Sequence, residues 1–426
     1  MTTSPLRHEL ANGLRLIIAP MDSTQTVTVL VLVGTGSRYE TREINGISHF
    51  LEHLMFKGTA KRPTAAHISQ ELDSLGADYN AFTMKEVTGY YVKCAAERFP
   101  TALDVIADIF QNSKFDAAEI EKERGPVTEE INMYLDKPAR YVNDIYEELV
   151  FGDQPLGWQV AGTKENVAAL QRETFTQYFN DHYVAGNTVI VVAGHCEPAT
   201  IKAQVEQQFA AVRQGNVPQA LSFAEHQKQS GFKVFNKITD QTYVNFGFRA
   251  FHRLHPKLEA LEVIATILGG GMSSRLFTEV REKRGLAYAV SASTNTYKET
   301  GDITAFAGLN NKNLVPALEI IMHEFKRIIN EPVSAAELRR VKDYVKGRFA
   351  IGLELSDAIA SFYADQELLE NRLLTPAQRL ERIEAVTPAD IQAVARELFT
   401  AERLNLALIG PFQQDDVAVT KVLAAW

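Results

Sequence analysis

Two histidines four residues apart with a glutamate between them, His49-Phe50-Leu51-Glu52-His53, are the part of this sequence best suited to chemistry. In a helix, side chains at i and i+4 lie on one face, so one metal ion could accept both imidazoles. Glu52 flanks that face, immediately before His53. The set offers two neutral nitrogen donors of the kind zinc takes, with a carboxylate able to accept a proton from water. Its H-x-x-E-H order reverses the commoner H-E-x-x-H. Taken alone, the five residues are equally compatible with the solvated side of an ordinary amphipathic helix, because short motifs recur by chance.

The element that must carry them is a helix between Gly46 and Gly58. Ile47, Phe50, Leu51 and Leu54 form its apolar stripe, and His49, Glu52, His53 and Phe56 fall opposite. Catalytic zinc usually keeps three protein ligands and one water, so a third donor is required. The acidic helical stretch Asp116 to Met133 offers Glu119, Glu121, Glu123, Glu129 and Glu130.

An internal repeat narrows that choice. Phe99-Pro100-Thr101-Ala102-Leu103 resembles Val315-Pro316-Ala317-Leu318, and Phe115-Asp116-Ala117-Ala118-Glu119-Ile120 resembles Val333-Ser334-Ala335-Ala336-Glu337-Leu338. In the second pair the offset is 218 residues, which maps Glu119 onto Glu337, Glu123 onto Val341 and Glu130 onto Arg348. Glu119 persists in a half with no histidine pair and reads as structural. Glu123 and Glu130 belong only to the half that has the pair, and two helical turns separate them, so they share a face.

The repeat also sets the architecture. Two similar domains of about 200 residues are expected, a normal domain size. They span residues 1–215 and 232–426, with a polar linker at Gln214 to Gly231. Strand-like segments run over Leu14 to Ala19, Val27 to Val33, Ala77 to Thr83, Gly89 to Ala95 and Asn187 to Gly194. Those of the second half are Lys233 to Asn236, Gln241 to Phe248 and Ile303 to Gly308. Strand runs mixed with long helices give an α+β class, each domain a largely antiparallel sheet covered by helices.

Composition narrows the function classes. A net charge of −9 over 426 residues leaves no basic excess to neutralise phosphates, against a general nucleic-acid binder. Cys94 and Cys196 make no disulfide framework and read as buried, reduced thiols. The stretch Met1 to Glu9 lacks a signal peptide's charged start and apolar run, and Val27 to Val33 is too short to cross a bilayer. A cytoplasmic protein without membrane association is expected. Among the other histidines, His67 reads as packing beside Ile68 and Leu72, and His252 and His255 as members of a turn. His195 beside Cys196 is a weak metal pair, since adjacent loop residues rarely share one ion.

Longer spaced motifs point to a family. Gly46-x-x-His49-x-x-Glu52-His53 precedes Phe56-Lys57-Gly58-Thr59, and Asn80-Ala81-Phe82-Thr83 precedes Glu86, Thr88 and Tyr90. Glu123-Arg124 leads to Glu130, and Gly269-Gly270-Gly271-Met272-Ser273-Ser274-Arg275-Leu276 leads to Arg281 and Tyr288. In these motifs the chain resembles the pitrilysin/insulinase family of zinc metallopeptidases, of the inverzincin type, over essentially its whole length. It is most similar to the two-domain bacterial members and the catalytic subunit of mitochondrial processing peptidase.

The resemblance implies a zinc metalloendopeptidase with His49, His53 and Glu130 as metal ligands and Glu52 as general base. Glu123 would act with them by orienting a ligand imidazole or the water. Asn80, Ala81 and Phe82 would bind the extended peptide substrate, and Arg281 and Tyr288 would reach its carbonyl from the degenerate second domain. The chain departs from the family's pattern at Gly125-Pro126, which leaves Glu129 as the alternative ligand. The resemblance further implies an enclosed chamber built by a homodimer, or by a heterodimer with a paralogue. A non-catalytic or partner-dependent subunit of a heterodimeric peptidase is the alternative. Residues alone also leave open a metal hydrolase of non-peptide bonds.

Overall fold

The computed structural model describes residues 4–426; Met1 to Thr3 of the N-terminal segment lie outside the described residues. Among these, the first half supplies strands β1 (Leu6–Glu9), β2 (Arg15–Pro20), β3 (Thr26–Val33), β4 (Asp78–Thr83), β5 (Thr88–Ala95) and β6 (Thr188–Gly194). Its helices are α1 (Ile47–Leu54), α2 (Ala65–Ser74), α3 (Phe99–Asn112), α4 (Ala117–Leu135), α5 (Pro138–Phe151), α6 (Lys164–Ala169), α7 (Arg172–His182) and α8 (Pro198–Phe209). The second half adds β7 (Gly231–Asn236), β8 (Gln241–Ala250), β9 (Ala287–Thr296), β10 (Gly301–Asn310) and β11 (Leu404–Gly410). With them come α9 (Leu258–Gly269), α10 (Leu314–Asn330), α11 (Ala335–Gly352) and α12 (Ser356–Asp365), and further helices before and after β11.

Two sheets result, ordered β1-β2-β6-β3-β5-β4 and β7-β11-β8-β10-β9. Without the short edge strand β1, the two orders are the same. In each sheet one pair is parallel, β2 with β6 and β7 with β11, and the other pairings are antiparallel. The expected α+β class with two similar, largely antiparallel sheets is therefore the observed one. The repeat carries into the helices: α4 starts at Ala117 and α11 at Ala335, and α5 starts at Pro138 and α12 at Ser356, each 218 residues apart.

The compact units are a different division of the chain from its two halves. One unit takes the chain up to Asn132, then Gln159–Leu221 and Phe349–Thr375; the other takes Met133–Trp158, Ser222–Arg348 and Pro376–Trp426. Helix α12, encoded in the second half, thus belongs to the first unit, and α5, encoded in the first half, belongs to the second. The reason is visible in the strands. β3 and β6 are buried on both faces, so each needs a second covering layer. In the first unit Ile359, Ala360, Tyr363 and Ala364 of α12 pack on Ile17, Leu30, Leu32, Val189 and Val191. In the second, Val142, Ile145, Tyr146 and Val150 of α5 pack on Ala407 and Ile409 of β11. Each fully buried aliphatic side chain in these layers contributes about 1.5–3 kcal/mol.

Polar ties fix the α12 segment in the first unit. Glu367 is 1 % exposed and accepts from Arg7 Nη2 at 2.9 Å and from Arg7 Nε at 3.0 Å. Arg15 donates to the Glu367 carbonyl at 3.1 Å, and Lys93 Nζ meets Asp357 at 2.7 Å. Of the expected linker Gln214 to Gly231, all but Gly231, the first residue of β7, lies outside regular helix and strand. No helix among the described residues is long and apolar enough to cross a membrane.

Candidate metal centre

The site lies wholly in the first unit and starts from α1. Ile47, Phe50, Leu51 and Leu54, the expected apolar stripe, are all 0–1 % exposed, which clamps this two-turn helix on the core. Phe50 meets Phe175 of α7 edge-to-face at 4.9 Å. The helix begins at Gly46 in the left-handed region, φ +102°, where a Cβ would sit 2.7 Å from the Ala161 carbonyl oxygen. Gly46 has no side chain to cap the helix. Glu40, buried, does it instead: its two carboxylate oxygens accept from Gly46 N at 2.7 Å, Ser48 N at 2.8 Å and Asn45 Nδ2 at 2.9 Å. Burial pushes the Glu40 carboxyl above the usual carboxylate range, and these donors offset that only in part.

With α1 fixed, His49 and His53 stand one turn apart, their rings 4.8 Å from centre to centre. Both Nε2 atoms point at one oxygen of Glu130, Oε2, at 3.4 Å from His49 and 3.3 Å from His53. Glu130 comes from α4, whose buried residues Ile120, Glu123, Val127 and Ile131 form a stripe at helical spacing. Pro126 lies inside α4, which continues past it to Leu135. The neighbour Glu129, the alternative candidate, is exposed and bonded to Asn132 Nδ2.

One potential ligand atom from each of His49, His53 and Glu130 lies within 4.8 Å of the others, a group able to hold a metal ion. Donors bound to zinc at ~2.0–2.1 Å and tetrahedral angles lie about 3.3–3.4 Å apart, so the separations to Glu130 fit that ion. Electrostatics agree. Burial pulls the His53 imidazole down, but its hydrogen bonds to Glu123 and Glu130 outweigh this and hold it up at about 9. The pocket favours positive charge on the spot where a cation would bind.

Two carboxylates flank this set. Glu123 Oε1 is 3.0 Å from His53 Nδ1, and Lys57 Nζ is 2.6 Å from Glu123 Oε2. Burial raises the Glu123 carboxyl, yet His53 and Lys57 bring it below the usual carboxylate range. Glu52 accepts from Thr83 Oγ1 of β4 at 2.5 Å. Burial pushes Glu52 above the ordinary carboxylate range against the lowering effect of Thr83, His49 and His53.

Asn80, Ala81 and Phe82 lie on β4, an outermost strand of the first sheet, which among the described residues pairs with β5 alone. Asn80 is exposed, and its Oδ1 accepts from Ala81 N at 2.9 Å. The Phe82 ring lies so close over Gly89 that a Cβ there would be 2.3 Å from it. Arg281 and Tyr288 belong to the second unit. The Arg281 guanidinium sits 5.4 Å from the Tyr288 ring centre, and Tyr288 is 77 % exposed.

His67, expected to pack, is exposed: its Nδ1 lies 2.7 Å from Thr64 Oγ1 at the start of α2. His255 stacks on Phe251 at 3.7 Å and His252 accepts from Leu254 N, as befits a turn. Cys94 is buried and Cys196 half-buried, both free thiols. Lys57, Thr83 and Glu40 were not singled out from sequence. Lys57 and Thr83 fall inside quoted motifs, but only the folded chain shows which carboxylate each one meets.

Comparison with known proteins follows the same outline. The family profile described as "Insulinase (Peptidase family M16)" matches residues 16–164, and "Peptidase M16 inactive domain" matches residues 169–345. A Bacillus subtilis protein named as an uncharacterized zinc protease, YmxG, is 36 % identical over 405 residues, covering 95 % of this chain and 98 % of its own. A Mycobacterium tuberculosis protein, also named as an uncharacterized zinc protease, is 32 % identical over 411 residues, 96 % of this chain and 93 % of its own. Among solved structures, a protease from Helicobacter pylori has a TM-score of 0.90 at 22 % identity, with 96 % of this chain and 100 % of that one aligned. A peptidase M16 inactive domain from Pseudomonas fluorescens has a TM-score of 0.88 at 18 % identity, covering 96 % and 99 %. These two structures share the fold. The sequence matches reach further: the chain belongs to the insulinase family of peptidases, family M16.

Proposed function

We propose that this chain is a zinc-dependent endopeptidase acting on peptides or unfolded segments, with zinc held by His49, His53 and Glu130. The observation that carries the reading is the meeting of both Nε2 atoms on a single Glu130 oxygen, with Glu52 next to them. The names of the relatives as zinc proteases support the choice of metal. Bound there, zinc supplies a Lewis acid that acidifies water and polarises a carbonyl.

The residues do the rest. Glu52 takes the proton of the attacking water and returns it to the leaving amine. Thr83 donates to Oε2 of Glu52, which leaves Oε1 for the water. Glu123 accepts from His53 Nδ1–H and thereby fixes which ring nitrogen faces the centre. Asn80, Ala81 and Phe82 present the open edge of β4, on which an extended peptide can add as a further strand with little sequence demand. Arg281 and Tyr288 are suitable donors to the carbonyl oxygen as it gains charge, and the exposure of Tyr288 supports that role.

The working form in this reading is a dimer, of this chain with itself or with a paralogue, enclosing the substrate in a chamber. Free cysteines accord with a reducing compartment, the cytoplasm. The test is mass spectrometry of unstructured peptides digested by the purified protein with and without chelator. Glu52→Gln is expected to keep its zinc while cleavage falls by about 10²–10⁴-fold. Cleavage that survives chelation or the Glu52 change would overturn the mechanism. A zinc-loaded wild type that cleaves nothing until a paralogue is added would favour the partner-dependent subunit.

A further inference from the structure

We propose that Lys57 is a positioning residue of the metal centre, fixing the Glu123 carboxylate and through it the orientation of the His53 imidazole. The inference rests on the reading of His49, His53 and Glu130 as zinc ligands. Lys57 lies just past the end of α1, where its backbone N–H donates to the Leu54 carbonyl at 3.1 Å. Its ammonium is 2.6 Å from Oε2 of Glu123, while Oε1 of the same carboxylate is 3.0 Å from His53 Nδ1. The two oxygens are thus divided between one cation and one ring nitrogen. The terminal torsion of a glutamate is soft, so a carboxylate held at one oxygen can still swing. Held at both, it cannot, and the imidazole it supports keeps Nε2 aimed at Glu130.

A plain brace between two helices is the competing account. The second unit contains such a brace: Arg275, shortly after α9, donates to Glu337 of α11 at 2.9 and 2.8 Å. No histidine shares that carboxylate among the hydrogen bonds of the described residues. In the Arg275 pair the cation takes both carboxylate oxygens; in the Lys57 pair it takes one, and an imidazole holds the other. Lys57 also borders an open cavity of about 230 Å³ with Gly58, Lys114 and Asp116, so its removal leaves a space that water can fill rather than a hole in the core.

The experiment is zinc titration of the full-length apo-protein against a competing chelator, with thermal melts of the same samples. Lys57→Met is expected to weaken zinc binding by about tenfold or more, in the range seen when supporting partners of metal ligands are removed. Lys57→Arg restores it to within about threefold, because the guanidinium can reach the same oxygen. In a Glu123→Gln background, Lys57→Met adds no further loss. Arg275→Met lowers the melting temperature and leaves zinc binding unchanged. Unaltered zinc binding in Lys57→Met, or an undiminished effect of it without Glu123, would overturn the proposal. If Lys57→Met does not fold, Lys57→Gln is judged by the same criteria. A wild type that binds no zinc would overturn the ligand reading itself, which separates the two failures.

Discussion

At one matched position on their long helices the two units make opposite choices: Glu123 on α4 and Val341 on α11, each 6 % exposed. Valine meets the apolar core of its unit and asks for nothing more. A carboxylate in the same place costs several kcal/mol unless its charge is met. Glu123 meets that demand with Lys57 and His53. Two turns on, Glu130 faces the imidazoles, while its counterpart Arg348 is exposed. The scaffold is indifferent to these substitutions as long as each buried charge has a partner. A handful of side chains separates the copy that gathers the histidine–carboxylate cluster from the copy that lacks it.

The comparison can be broken most directly at the residues proposed as ligands. Glu130→Gln is expected to lose zinc on dialysis and cut turnover more than about a thousandfold, equivalent to the several kcal/mol a Lewis acid supplies. Arg348→Glu in the other copy should change neither, as metal analysis and peptide cleavage would show. A reciprocal exchange sharpens the point. Glu123→Val should retain stability while zinc binding weakens by about 10–100-fold. Val341→Glu, which places a carboxylate in the apolar cluster of the second unit, should lower the unfolding free energy in urea by about 3–5 kcal/mol.

Two buried groups, one in each unit, should also answer pH in opposite senses. In the first, burial pulls His182 down to about 4; its Nδ1 lies 2.8 Å from Thr35 Oγ1 and its ring stacks on Tyr178 at 3.9 Å. The unfolded chain then binds the extra proton, so stability present near neutrality is lost as pH falls from about 6.5 towards 4, on the order of 3 kcal/mol in all. In the second, burial lifts Asp302 to about 7 against the Thr304 hydroxyl at 2.7 Å. Here the folded state keeps the proton longer, so stability present below about 4 is lost as pH rises to about 7. His182→Gln should flatten the acid limb and Asp302→Asn the neutral one, read by chemical denaturation across pH. The smallest effect is expected at Tyr288→Phe, about tenfold in kcat/KM with zinc content unchanged, below the usual loss for a fully enclosed donor.

Much of this was legible in the residues, and the rest had a physical reason to be hidden. Strands β2 to β8 and β10 announce themselves by β-branched and aromatic runs between breakers. β9, Ala-Tyr-Ala-Val-Ser-Ala-Ser-Thr-Asn-Thr, dilutes its Tyr, Val and Thr residues with alanines, serines and an asparagine, and β11 is a short apolar run of the kind that helix and strand share. The His49–His53 pair and the α4 carboxylates were readable because helical spacing is local. The partnerships Lys57–Glu123, Thr83–Glu52 and Glu40–Ser48 join separate elements or a helix to the loop before it, and no periodicity reports them. The exchange of α5 and α12 was hidden for a related reason. An amphipathic pattern says that a helix must bury one face, not which sheet will receive it.

That exchange has a consequence in time as well as in space. A ribosome completes β6 with Gly194, and α12 ends only at Asp365. At ~5–20 residues per second the intervening stretch of about 170 residues takes roughly 10–30 s to synthesise. Throughout that interval one apolar side of the first sheet, with Leu30, Leu32, Val189 and Val191, has no cover of its own. The nascent chain must be sheltered or stay unfolded until its last third emerges, and a premature stop before Ser356 would yield a sheet with a sticky face rather than a smaller working enzyme.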